Sequence, residues 1–265
     1  MEKKMNARIG RLGASLLAAT SIVAGSAAFA DTSVQAPQAS LASPVASLAF
    51  PGTFGVPSAV APRDGTGFLG ATYANPRGGV SGSGGDGDLV AGYAVGNPLD
   101  AVSLTFGVAL TGIDPLGDSG SFSITASRLL RAGGTSATFI GASVSNLLGW
   151  GDSADRSEMY SAYVSHLAGV TVGDTEIPFQ FTLGYGTDNT RSSDGAGRLS
   201  DGMYAGVGVG VTESLSASVS ATRTQINVGA TLSIPGTSFS TTAGVLDVTD
   251  NTDRRQFSLS VGYSF

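Results

Sequence analysis

From Gly65 to the last residue, apolar side chains recur at every second position, and the positions between them hold Ser, Thr and Gly. Val102, Leu104, Phe106, Val108 and Leu110 alternate with Ser103, Thr105, Gly107, Ala109 and Thr111. A period of two is the mark of an extended strand with chemically different faces. A strand of a water-soluble sandwich carries Lys, Glu or Arg on its solvent face. Here the second face is almost uncharged, so neither face is suited to bulk water. Three further stretches repeat the pattern. Phe179, Phe181, Leu183 and Tyr185 alternate with Gln180, Thr182 and Gly184; Met203, Ala205, Val207 and Val209 with Tyr204, Gly206 and Gly208; Ile226, Val228, Ala230 and Leu232 with Asn227, Gly229 and Thr231.

Composition sharpens the conflict. Mean hydropathy is positive and charged residues are 13% of the chain, against about a quarter in soluble domains. After the first thirty residues no apolar run approaches the roughly 20 residues of a membrane helix. A closed β-barrel with alternate side chains facing lipid reconciles the two. Twelve stretches of suitable length occur, at 65–75, 88–96, 101–113, 120–130, 137–147, 159–172, 177–186, 202–211, 215–222, 225–234, 238–247 and 255–265. The expected fold is an all-β, transmembrane, antiparallel up-and-down barrel of about 12 strands, with 10 or 14 as alternatives. Its connections alternate between short turns such as "GDTE" and "PGT" and longer loops such as "LGWGDSADRSE"; only the link near Arg223–Thr224 breaks the alternation.

Residues 1–30 read as a signal peptide. Lys3, Lys4, Arg8 and Arg11 precede an apolar run, and "AFA" before Asp31 is a small-residue cleavage site. Residues 31–64, with five prolines and few charges, read as a periplasmic lead-in or a lumen plug, and 65–265 as the barrel. The processed chain holds ten Arg, no Lys and 19 acidic residues, a net charge of −9 (ten minus nineteen). Such a balance argues against nucleic acid as a partner. The absence of Cys excludes disulfides and thiolate metal sites.

The C-terminal "FSLSVGYSF" resembles the closing strand of Gram-negative outer-membrane β-barrel proteins, through Phe257, Leu259, Val261, Tyr263 and Phe265. The resemblance implies that this strand is an assembly signal read by the barrel-assembly machinery. It also implies residence in the cell outer membrane among lipids and lipopolysaccharide, and it singles out no particular family.

No catalytic residue, metal ligand or cofactor is expected. His166 is the only histidine; counting Ala162, Val164, Ala168 and Val170 as outward turns it towards lipid, and no Asp or Asn is placed to orient it. A lipid-modifying enzyme centred on His166 is therefore the third reading of function. Asp86, Asp88, Asp114, Asp118, Asp152, Asp155, Glu158, Asp188, Asp194, Asp201, Asp250 and Asp253 fall in or beside loops, a solvated acidic surface. "GVGVG" at 206–210 lacks the helix of a nucleotide loop. Tyr73, Tyr93, Trp150, Tyr160, Tyr185 and Tyr263 suit interfacial girdles, and Arg128 and Arg131 reach towards headgroups. Ser103, Thr105, Ser121, Ser123, Thr125, Gln180, Thr182, Ser216, Ser218, Ser220, Asn227, Thr231, Ser258 and Ser260 are expected to line the lumen. That face is small, polar and without a charged ring. The first expectation is a porin-like channel passing small hydrophilic solutes by diffusion. The second is a structural or surface-interaction barrel with acidic loops and a closed lumen.

Overall fold

The computed structural model describes residues 51–75, 86–111, 116–173, 175–193 and 198–265, together with a short backbone pairing of Ala19–Ile22 with Val34–Pro37. Apart from that pairing, the expected signal peptide and residues 31–50 lie outside the described residues, as do Asp114 and Asp194.

Twelve antiparallel strands form a closed barrel, each bonded to its sequence neighbours. They are β1 (Gly67–Ala74), β2 (Asp86–Val95), β3 (Ser103–Thr111), β4 (Gly120–Gly133), β5 (Ser136–Trp150) and β6 (Met159–Val172), followed by β7 (Thr175–Arg191), β8 (Leu199–Gly210), β9 (Leu215–Thr222), β10 (Ile226–Ser233), β11 (Phe239–Leu246) and β12 (Gln256–Ser264). The ring closes where β12 pairs with β1, Leu259 opposite Tyr73 and Val261 opposite Ala71. Phe265 completes that seam: its N–H donates to the Gly67 carbonyl at 2.9 Å, and the Gly67 N–H returns the bond at 2.9 Å. A wall closed this way leaves no unpaired edge.

The alternation sorts side chains radially. Along β12, Phe257, Leu259, Val261 and Tyr263 are exposed, while Ser258, Ser260, Gly262 and Ser264 are buried. Leu69, Phe106, Phe122, Ile140, Val164, Phe181, Leu183, Val207, Val219 and Val228 extend the apolar exterior around the barrel. Water would penalise that surface and hydrocarbon would not. Tyr73, Tyr160 and Tyr185 lie on the exterior towards the longer loops, and Tyr93, Tyr263 and Phe265 towards the short turns. Two of those turns pivot on glycines in the left-handed region, Gly134 at φ 57° and Gly236 at φ 75°.

The wall is taller between β4 and β8 than the sequence pattern implies. β4 runs to Gly133, β5 to Trp150 and β7 to Arg191, past the expected ends at 130, 147 and 186. Pairing there continues through polar residues, as where Thr190 and Arg191 oppose Ser200 and Leu199. Apolar alternation marks only the hydrocarbon-facing part of a strand, so it under-reads one that projects beyond it. Register shifts interrupt the β4–β5 and β7–β8 ladders, and Asn146, Leu148 and Asp188 take positive φ beside them, as bulged strands do.

The core sits inside the ring. Every residue from Pro51 to Pro62 except Gly55 is buried. Val56, Ala59 and Val60 pack against Ala137 and Phe139 of β5, Tyr163 and Leu167 of β6, and Tyr204 of β8, with Leu99 and Leu129 at the margin.

Candidate functional site

The lumen is where sequence and fold converge. Its wall offers backbone notches and hydroxyls, because alternate positions hold Gly, Ser and Thr. Residues 51–62 enter beside Gly208, where a Cβ would overlap the Gly52 carbonyl oxygen. They turn at Thr53–Val56, the Val56 N–H donating to the Thr53 carbonyl at 3.4 Å with Gly55 at φ 82°. Positive φ at the third position of a four-residue turn is the requirement of a type II turn, which Gly meets without strain.

Phe54 is the largest side chain of the segment. Its ring lies over two glycines of adjacent strands; a Cβ at Gly229 would sit 2.6 Å from Phe54 Cγ, and one at Gly244 2.5 Å from Cε1. Its backbone is held as well. The Phe54 N–H donates to Ser218 Oγ at 3.1 Å, and Ser220 Oγ donates to the Phe54 carbonyl at 2.6 Å.

The returning limb is fastened to the opposite wall. The Ala59 N–H donates to Ser165 Oγ at 2.8 Å, Ser127 Oγ donates to the Ala59 carbonyl, and Gln180 Nε2 donates to Ser58 Oγ at 2.8 Å. Ser58 and Ser165 stand Oγ to Oγ at 3.4 Å, and Ser165 bonds Thr182 Oγ1 at 2.8 Å. Buried polar backbone is costly unless paired; here hydroxyls of the wall do the pairing.

The residues expected to line the lumen divide accordingly. Ser218 and Gln180 touch the segment directly; Asn227 donates to Ser220 at 3.2 Å and Thr182 acts through Ser165. Thr231 bonds Thr242 across strands at 2.9 Å, and Ser260 bonds Thr72 at 2.9 Å. Ser103, Thr105 and Ser258 are buried, while Ser123 and Thr125 are half-buried. The inward face is not uniformly small and polar, however. Phe68, Phe139, Tyr163, Leu167 and Tyr204 also point inward and are buried. The sequence held a signal for this. Along "AYVSHL" both parities carry apolar residues, Tyr163 and Leu167 as well as Val164, which requires an apolar neighbour on the inner side too.

Phe257, Leu259, Val261, Tyr263 and Phe265 all lie on the exterior. The Tyr263 ring packs tilted against Phe239, with centroids 4.7 Å apart, and stacks on Phe265 at 6.0 Å. His166 is exposed on the exterior too, its Nδ1 2.9 Å from Thr138 Oγ1. Among the described residues, no three His, Cys, Asp or Glu side chains converge as a metal site would require.

The loop at 247–255 is built on a buried acid. Asp247 accepts hydrogen bonds from the Thr252 N–H at 2.9 Å, Thr252 Oγ1 at 2.6 Å, the Asn251 N–H at 3.1 Å and Thr249 Oγ1 at 3.3 Å. Its own N–H donates to Asn227 Oδ1 at 3.0 Å, which ties the loop to the neighbours of Phe54. Asp247→Ala leaves those donors unpaired and is expected to destabilise the loop by about 3 kcal/mol. Faster amide exchange confined to 248–254 is the readout. In the loop at 151–158, Asn146 Nδ2 donates to the carbonyls of Ser153, Arg156 and Ser157. Burial pulls the Arg156 guanidinium below its ordinary value, while Asp152 and Asp88 oppose the change.

No family model and no curated protein matches the sequence. Among solved structures the chain is similar to the KdgM porin, at 13% identity over 75% of this chain and 99% of that one, with a TM-score of 0.46. One KdgM structure is a complex with disordered oligogalacturonate. The outer membrane protein Omp33 of Acinetobacter baumannii is similar at 10% identity over 76% of this chain and 99% of that one, TM-score 0.48. The NanC porin is similar at 9% identity over 74% and 98%, TM-score 0.46.

Proposed function

We propose that this chain is a porin-like barrel of the outer membrane, exported with a cleaved signal peptide, which passes small hydrophilic solutes by passive diffusion. The observation that carries the reading is the radial sorting: a continuous apolar exterior around an edgeless wall whose inner face is rich in uncharged hydroxyls. Lipids and lipopolysaccharide would contact the exterior, and the barrel-assembly machinery would read β12 and Phe265. Without a charged ring, the path would discriminate weakly between ions.

One observation favours a second reading, a structural or surface-interaction barrel with a closed lumen: residues 51–62 occupy the interior. A planar bilayer separates the two. A chain lacking residues 31–62, with its fold verified by heat-modifiable mobility, is expected to give stepwise conductance with weak ion preference. Silence from that folded chain and from the full chain alike would leave the second reading.

A further inference from the structure

We propose that the inner wall from β4 to β11 is a binding socket for an uncharged Gly-, Pro- and Ala-rich peptide, occupied by the chain's own residues 51–62. Phe54, seated over Gly229 and Gly244, locks it in the closed state. The closure half of this inference rests on the channel reading above; the socket half does not.

Three features define the socket. The first is shape. Gly206, Gly208, Gly229 and Gly244 lie where any side chain would meet Gly52, Thr53, Phe54 or Val56. A wide pore needs small residues anywhere along its wall, whereas these stand under the particular atoms of one segment. The second is polarity. Ser218, Ser220, Ser165, Ser127 and Gln180 give the segment's backbone and Ser58 the partners that water would otherwise supply. The third is the apolar floor of Phe139, Tyr163, Leu167 and Tyr204 under Val56, Ala59 and Val60. A permanently wet pore gains nothing from these side chains; an apolar peptide does.

The lock has an outer connection. Ser220, which donates to the Phe54 carbonyl, accepts from Asn227, and Asn227 accepts from the backbone of Asp247 in the 247–255 loop. The ring of Phe54 is therefore held by two glycine notches, and its backbone by a chain of hydrogen bonds that ends at the long-loop side.

The absence of native cysteine makes the test direct in the full chain. Ser58→Cys with Ser165→Cys replaces two hydroxyls 3.4 Å apart. Oxidation is expected to give an internal cross-link in most molecules, seen as a mobility shift reversed by reductant, and the cross-linked protein is expected to be silent in a planar bilayer. Phe54→Ala is expected to raise the open fraction at least about tenfold over the unsubstituted chain. Failure of the cross-link to form in folded barrel overturns the socket. A cross-linked chain that conducts as freely as its reduced form overturns the closure. If the cross-link forms and Phe54→Ala is silent while the folded chain lacking residues 31–62 conducts, Phe54 is not the lock; if both are silent, the socket stands and it is the channel reading that fails.

Discussion

Valine at both Gly206 and Gly208 is expected to expel residues 51–62 from the lumen and to raise their cleavage by elastase at least about a hundredfold. At Gly206 a Cβ would sit 2.8 Å from Val56 Cγ2 and 2.9 Å from Thr53 Cβ, and at Gly208 it would overlap the Gly52 carbonyl oxygen. The wall cannot retreat. β8 is bonded on both sides, Gly206 opposite Thr182 and Ser220, and Gly208 opposite Gln180 and Ser218. The segment, held by side-chain contacts and a few hydrogen bonds, gives way first. Overpacking costs about 1–3 kcal/mol at each site; a combined loss near 3 kcal/mol is about a hundredfold in the seated population. Valine suits a strand, so heat-modifiable mobility is expected to persist. Unchanged protection of Val56–Ala61 in the doubly substituted barrel would contradict the fit described above.

The second large effect is expected at the closing seam. Deleting Phe265 removes both hydrogen bonds to Gly67 and the ring that stacks on Tyr263 and covers Gly67. In detergent the loss is modest, about 2 kcal/mol for two exchanged hydrogen bonds, and the refolded barrel is expected to survive. In cells the expectation differs in scale. If the terminal aromatic is the feature read at assembly, the amount in the outer membrane falls more than tenfold while the purified chain still folds. The pair of measurements separates recognition from stability. Equal outer-membrane levels with and without Phe265 would remove the assembly role.

Twelve strands were legible in the sequence because the signal is local. A strand's two faces are set by neighbouring residues, and a lipid-facing side must be apolar at nearly every turn of the pleat. The outward position of His166 followed from the same counting, through Val164 and Ala168. Strand ends were less legible. At the end of β7, Thr190 and Arg191 are held by pairing with Ser200 and Leu199, which leaves no periodic trace.

The interior is the harder case. Gly206, Gly208, Gly229 and Gly244 read equally well as room for water and as notches for a chain, since an absent side chain does not say what replaces it. Phe139, Leu167 and Tyr204 lie far apart in sequence and meet Val56 and Val60 only once the ring has closed. The sequence alone determined the pleat, the apolar exterior and the abundance of hydroxyls on the inner face, because each depends on neighbours along one strand. Only the tertiary structure decided what stands in the lumen. That enclosure exists only after β12 meets β1, and its occupancy depends on contacts between residues brought together from opposite sides of the barrel.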